Sequence, residues 1–266
     1  PCEHSFPTRR SSDLRYYEGY SENPEIVTNL SSEYIRQLQS YGIAATAKHF
    51  IADGATMWGT GDSGYKIDQG NAIIKGDKLF KEELLPYREA VKSGVKSVMV
   101  SFSSINGIKN NSNKHLITDV LKGKLGFKGI VISDWEGVHQ INAINFKDQV
   151  IIGVNAGIDM FMEQNKWKET YDAVTRILTV KFDQGLFENN LGNSSLIKNK
   201  FNSTAHKKVA ETAVEESMVL LKNNGVLPIK KNSKIYVTGP ASNSVGIQCG
   251  GRSEEHTSEL QSQDAS

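Results

Sequence analysis

The sequence predicts an α/β fold built from strand–helix units around a parallel sheet, and three observations carry that reading. Short β-branched runs alternate with longer amphipathic segments, glycine stands before the strands, and polar loops follow them. The stretch Lys128-Gly129-Ile130-Val131-Ile132-Ser133-Asp134-Trp135-Glu136-Gly137 shows the pattern most clearly. Ile130, Val131 and Ile132 are consecutive β-branched residues, too few for an amphipathic helix and suited to a strand buried on both faces. The charge then begins where the strand is expected to stop. A carboxylate at the C-terminal end of a parallel barrel strand reads as catalytic, but Ser-Asp after a strand also caps helices. Both readings of Asp134 stand at this level.

The elements follow in order. Pro24 to Tyr41 reads as a helix, with Pro at its start, Ile26, Val27, Leu30, Tyr34, Ile35 and Leu38 at helical spacing, and Gly42 as its stop. Ile43 to Phe50 reads as a buried strand ending in Lys48-His49-Phe50. The loop Ile51 to Gly64, bearing Asp53, Thr56, Thr60, Asp62 and Ser63, is too long for a mere connector and is expected to be functional. Residues 77–93 resume helical periodicity up to Gly94, and Val95 to Ser101 form the next strand. A loop is expected over Phe102 to Ser112, a helix over Asn113 to Leu125, and a strand over Gly129 to Ser133. Phe146 to Ala156 is a further helix, Ile158 to Met162 a strand, and Trp167 to Phe187 one long helical stretch. Asn189 to Ser195 is polar and reads as a linker, His206 to Lys222 is amphipathic, and Ile235 to Gly239 resembles the first strand of a second α/β unit.

Composition narrows the function classes. The 266 residues are 38% apolar and 23% charged, enough for a sizeable core. With 31 basic and 30 acidic residues the net charge is +1, so there is no electrostatic case for nucleic acid or an acidic membrane surface. No apolar run is long enough to span a membrane. Cys2 and Cys249 alone provide no disulfide framework. No His/Cys/carboxylate group has ligand spacing along the chain, so neither a metal nor an organic cofactor is implied. Residues 1–14 and 252–266 lack apolar periodicity and resemble translated sequencing-adapter sequence, and they are set aside from the fold reasoning.

Lys48 and His49 fall where a strand meets a loop, where a cation and an imidazole can hold sugar hydroxyls through charge-assisted hydrogen bonds. A pair that merely rims a barrel fits the spacing equally, and a lysine there can also be a Schiff-base nucleophile of an aldolase-type barrel. Asp134 beside Trp135 suits a glycosidase nucleophile, because the attacking carboxylate must be ionised and an indole face gives a pyranose an apolar platform. Glu136 reads as a first-turn helix acid rather than as the acid partner.

These residues carry a family resemblance. Arg15-Tyr16-Tyr17-Glu18, Ala47-Lys48-His49-Phe50 with Asp53-Gly54 and Thr56, Val98 through Gly107, and Gly126-Phe127-Lys128-Gly129 through Gly137 resemble glycoside hydrolase family 3 in its β-glucosidase and β-glucan exohydrolase branch. Asp172 to Leu178, Gly185 to Glu188, and Leu220 through Pro228 are similar to the family's barrel exit and the entry to its second domain. The resemblance implies a retaining, exo-acting β-glucosidase with a TIM-like barrel followed by an α/β sandwich domain. On it, residues 15–188 form an incomplete barrel, 189–205 a linker and 206–251 the beginning of the sandwich domain. Asp134 falls on the nucleophile. Arg15, Lys48, His49, Asp62, Phe102 and Trp135 fall on substrate-binding positions. The implied partners are β-linked glucosides or glucan oligosaccharides, and the implied location is secreted or periplasmic.

The resemblance also implies departures. Phe102 stands where relatives usually carry Tyr, so a hydroxyl that tunes the nucleophile is absent. Barrel strands expected before Arg15 and the acid/base Glu expected beyond Gly251 are missing, and the step from Trp167 to Asp172 is shorter than in relatives. A fragment inactive on its own is therefore expected. The β-N-acetylglucosaminidase branch is the near alternative; its Lys-His-Phe is followed by Pro and His, whereas this chain has Ile51-Ala52-Asp53 and a Gly64 after Asp62-Ser63.

Overall fold

A computed structural model of the chain describes residues 19–62, 64, 66–166, 168, 174–188 and 194–244. The chain divides into two units, with the boundary between Gly192 and Asn193. In the first unit, α1 spans Pro24–Ser40, capped by the Asn23 side chain, which accepts from the Glu25 N–H at 2.8 Å. Strand β1 is Thr46–Phe50, β2 Asn71–Ala72, β3 Ser97–Val100, β4 Ser104–Ile105, β5 Ile108–Lys109, β6 Ile130–Trp135 and β7 Met160–Met162. Helix α2 is Leu85–Lys92, and α3 is Phe146–Ala156, ended by Gly157 in the left-handed region at φ 113°.

Strands β1, β3, β6 and β7 form one parallel sheet in that spatial order. Sequential parallel neighbours joined through helices make this an arc of a TIM-like barrel. Among the described residues it has four strands, where a closed barrel has about eight. In the second sheet β2 pairs parallel with β4 and β4 antiparallel with β5; β4 and β5 lie in what the sequence reads as loop. Its hairpin turns on Asn106 and Gly107, both at positive φ, as a two-residue Asn-Gly turn requires.

Alternation sorts the sheet's two faces. Val98, Val100, Val131 and Ser133 are fully buried on the outer face with Leu116, Ile117, Val120 and Leu121 in one core. Met99, Ile130, Ile132 and Asp134 alternate with them and are only partly covered. The expectation of a strand buried on both faces is therefore met on one face only, because the described strands do not close around the other. The π-type helix His115–Lys124 is anchored to the sheet by the Lys122 ammonium, 3.0 and 2.9 Å from the two Asp159 oxygens. That buried carboxylate also accepts the Val131 N–H at 2.9 Å. A buried charge is tolerable when paired and hydrogen-bonded in this way.

Several boundaries differ from the sequence reading. The helix expected over 77–93 is split into a π-type turn, Leu79–Glu83, and α2. Pro86 has no N–H to carry the ladder across the junction, so it sits at the start of a new helix instead. Strand β6 runs two residues further than expected, taking Asp134 and Trp135 into the strand. Glu136 is not a first-turn helix acid: it is left-handed at φ 51° before a 3-10 turn, Gly137–Gln140, and α3 begins only at Phe146. Of the long stretch expected from Trp167, α4 covers Val174–Asp183; residues 167 and 169–173 lie outside the described residues.

The second unit holds α5, Ser194–Asn199, within the expected linker, and α6, Thr204–Ser217, capped by Ser203. Residues 218–244 form no strand, contrary to the reading of Ile235 to Gly239. Ile235, Tyr236 and Val237 are 64, 89 and 68% exposed, since a parallel strand exists only against a partner and none stands beside them among the described residues.

Gly129 permits the close approach that sets the β3–β6 register. A Cβ there would stand 2.1 Å from the Lys96 carbonyl oxygen, which accepts the Ile130 N–H at 3.0 Å. Because that oxygen is backbone, it cannot yield without shifting the strand pair. Gly129→Ala is expected to lower stability by about 1–3 kcal/mol, the usual range for overpacking, measured as a fall in the denaturant midpoint; an unchanged midpoint would contradict this role.

Candidate active site

The site is built where alternate strands of the arc end. β1 and β6 flank β3, and side chains of alternate strands share a layer on the inner face of such a sheet. His49 of β1 and Asp134 of β6 meet there, with Nε2 3.5 Å from Asp134 Oδ2 and both side chains 19% exposed. Asp134 Oδ1 accepts the Trp135 N–H at 2.7 Å, which fixes the carboxylate's rotation. The helix-cap reading of Asp134 is not met: among the described residues its side chain caps no α-helix.

The other nitrogen of His49 is committed. Nδ1 lies 2.9 Å from Asp53 Oδ2, and Asp53 Oδ1 accepts from the Ser101 and Ser103 hydroxyls, the latter at 2.9 Å. Ser101 Oγ in turn accepts the Ser103 N–H at 2.8 Å. With Asp53 as acceptor, the imidazole carries its first proton on Nδ1 and turns Nε2 toward Asp134. Burial by itself pushes the Asp53 carboxyl up, but the hydrogen bond and charge of His49, with the two serines, outweigh it and hold the group below the usual carboxylate value. Burial likewise pulls His49 down. The hydrogen bond and charge of Asp53 and the charge of Asp134 overcome this, against Lys48, and leave the imidazole above its ordinary value.

Around this axis the other candidates are distributed unevenly. Trp135 is 51% exposed beside Asp134, an open indole face. Lys48 is exposed on β1. Phe102 follows β3, its ring 3.5 Å from where a Cβ of Gly137 would stand. Asp62 lies 3.9 Å from the Lys109 ammonium, which also donates to the Phe102 and Gln69 carbonyls and, at 2.7 Å, to Gln140 Oε1. Lys109 thus ties the long loop to the segments after β3 and β6. Arg15 lies outside the described residues.

Sequence reading named Asp53 in a loop expected to be functional and Ser101 at a strand end, both within family motifs, but gave neither a role in the site. Asp53 stands four residues after His49, and Ser101 and Ser103 stand two apart at a strand end, a signal legible only once those elements are known to converge. A second group was missed altogether. Glu136, His139 and Glu163 offer ligand atoms all within 4.8 Å of one another. This corrects the reading that no such cluster has ligand spacing: Glu136 and His139 are three apart, and Glu163 joins them only through strand pairing.

A buried carboxyl lies behind the site. Glu83 is 1% exposed and its Oε2 has no hydrogen-bond partner among the described residues. Burial, then the charges of Glu82 and Asp53, against Lys78, push it up to about 8. Burial with the same Asp53 and Glu83 charges raises Tyr87.

A carboxyl at the C-terminal end of a parallel arc thus stands beside an imidazole and an exposed indole, on a sheet of the TIM-like barrel class. Residues 8–188 match the glycosyl hydrolase family 3 N-terminal domain, and the chain belongs to that family. It is 30% identical over 261 residues to a periplasmic β-glucosidase of Salmonella typhimurium, covering 86% of this chain and 33% of that protein. The crystal structure of an exo-1,3/1,4-β-glucanase from a Pseudoalteromonas species superposes with a TM-score of 0.77 at 34% identity, over 89% of this chain and 33% of that one. A β-glucosidase from Listeria innocua in complex with glucose gives a TM-score of 0.73 at 29% identity, over 86% of this chain and 35% of that one. The chain spans about a third of the length of these relatives.

The raised pKa of Glu83 has a signed consequence. In the fold the group stays protonated up to about pH 8, whereas unfolded it ionises near 4.5. Its contribution to stability is therefore complete below about pH 4.5 and is lost as pH rises toward 8, at up to about 1.4 kcal/mol per unit. His49, also raised, acts in the same direction. Glu83→Gln is expected to flatten the fall in denaturant midpoint between pH 5 and 8 (~3 units); an equally steep fall in the variant would remove Glu83 as its cause.

Proposed function

We propose that the chain carries the nucleophile side of a retaining, exo-acting β-glucosidase, and that the protein acts on β-linked glucosides or glucan oligosaccharides. The observation that carries this is the meeting of His49 and Asp134 at the ends of alternate parallel strands beside the exposed Trp135. Asp134 attacks the anomeric carbon of the terminal glucosyl unit. Its oxygen–carbon bond forms as the bond to the leaving oxygen breaks, and that oxygen departs with a proton from a general acid. Water, deprotonated by the conjugate base, then displaces the carboxylate and releases glucose with retained configuration.

The surrounding residues have distinct tasks in this reading. Trp135 N–H turns Asp134 so that one oxygen remains for attack. His49, Lys48, Arg15 and Asp62 hold sugar hydroxyls, and Trp135 receives an apolar ring face. Phe102 brings an apolar ring and no hydroxyl to this end of β3. No helix among the described residues is long and apolar enough to cross a membrane. A secreted or periplasmic location is proposed from the Salmonella relative.

The test is covalent labelling with an activated aryl 2-deoxy-2-fluoro-β-glucoside, whose leaving group needs little protonation and so reports the nucleophile. One fluoroglucosyl group per chain on the peptide containing Asp134 is expected, with none in Asp134→Asn. Borohydride trapping of a keto substrate on Lys48 with Asp134 unlabelled would instead establish the aldolase-type reading. In the longest active form of the protein, Asp134→Asn should lower kcat by several orders of magnitude, as removal of a nucleophile does; retention of more than about a tenth of the activity would contradict the assignment.

A further inference from the structure

We propose that Glu136, His139 and Glu163 form a binding site for a divalent transition-metal cation of the Zn2+ type, at the lip of the sheet next to Trp135. The backbone brings the three together independently of any ion. Trp135 is in register with Met162, and the Glu136 N–H donates to the Met162 carbonyl at 2.8 Å, so the residues that follow β6 and β7 lie side by side. The 3-10 turn then returns His139 over Glu136, its N–H donating to the Glu136 carbonyl at 3.0 Å. The imidazole is stacked on Phe146 at 4.6 Å between ring centres, and the His139 backbone carbonyl accepts from Gln149 Nε2 at 2.8 Å. Three donors from two strand ends and a turn are held within 4.8 Å of one another.

The charges at this position do not balance among the protein's own groups. The Glu163 side chain is 1% exposed; Oε1 accepts the Asn165 and Lys166 N–H groups at 2.9 Å each, while Oε2 faces His139 Nε2 at 2.7 Å. Glu136 adds a second carboxylate, and among the described residues that carboxylate has no hydrogen-bond or ion-pair partner. An imidazole carries at most one positive charge, and two carboxylates this close repel each other unless a cation lies between them. The Lys166 ammonium is directed elsewhere, over the Phe146 ring at 4.7 Å. One imidazole nitrogen with two carboxylate oxygens is a donor set for Zn2+ and its first-row neighbours, with water completing the shell; Ca2+ and Mg2+ prefer oxygen alone. On binding, the neutral imidazole presents the Nε2 lone pair to the ion and keeps its one N–H on Nδ1. The ion then cross-links the ends of β6 and β7 beside Trp135.

Chelator-treated full chain is titrated with Zn2+ alone, by calorimetry and by competition with a chromogenic chelator, and Co2+ is added separately for its visible absorption. One ion per chain, with a Kd in the micromolar range or below, is expected. Because loss of an outer-shell partner alone weakens metal sites by about 10–100-fold, removing a ligand should weaken binding by at least about tenfold in Glu136→Gln, His139→Gln and Glu163→Gln. Glu136→Gln is the decisive variant, since its carboxylate makes no bond that folding needs, and Gln at 163 keeps the oxygen that accepts the two backbone N–H groups. Binding of equal strength in Glu136→Gln and His139→Gln, no binding at about millimolar Zn2+, or preference for Ca2+ over Zn2+ would each overturn the site and leave His139 and Glu163 as a simple ion pair.

Discussion

The Asp53 carboxylate sits at the foot of the site, and much of the surrounding order follows from the donors it requires. A poorly solvated carboxylate is stable only if hydrogen-bonded and countercharged, and Asp53 draws on His49, Ser101 and Ser103 at once. Those three residues come from β1 and from the segment after β3, so satisfying one charge fixes two strand ends relative to each other. The same charge orients the imidazole toward Asp134 and, through the low-dielectric core, helps to hold Glu83 protonated.

The register of β6 is the second constraint. Its outer-face residues Val131 and Ser133 are fully buried, and the Ser133 hydroxyl accepts the Met162 N–H at 2.8 Å. With the outer face committed, alternation leaves Ile132 and Asp134 on the inner face. A one-residue slip would exchange Asp134 with Ser133 and bury the carboxylate in the helical layer. The tight approach at Gly129 and the paired Asp159 at the start of β7 both oppose that slip. Beyond Trp135 the chain turns abruptly through left-handed Glu136, which gathers the acidic groups and His139 into one small volume.

Membership of family 3 rests on residues 8–188, the part that contains both the arc and the site. The second unit contributes α5 and α6, and 218–244 lie without regular structure. Apolar side chains there, including Leu221 at 92% exposed, lack cover among the described residues.

Local signals were sufficient wherever an element is determined by its own residues. Pro24 at a helix start with Gly42 as its stop, the apolar spacing between them, and the β-branched run of β6 made α1 and the parallel strands legible, and the ordered motifs made the family and the candidate nucleophile legible with them. What the sequence could not determine depends on groups distant along the chain. The extension of β6 through Trp135 requires Met162 as a partner. The coupling of His49 to Asp134 spans two strands, and Glu163 joins Glu136 and His139 only across the β6–β7 pair. The same dependence removes the strand expected at Ile235 to Gly239: β-propensity supplies a chain with suitable residues, but backbone N–H and C=O groups form a strand only where another strand is present to receive them.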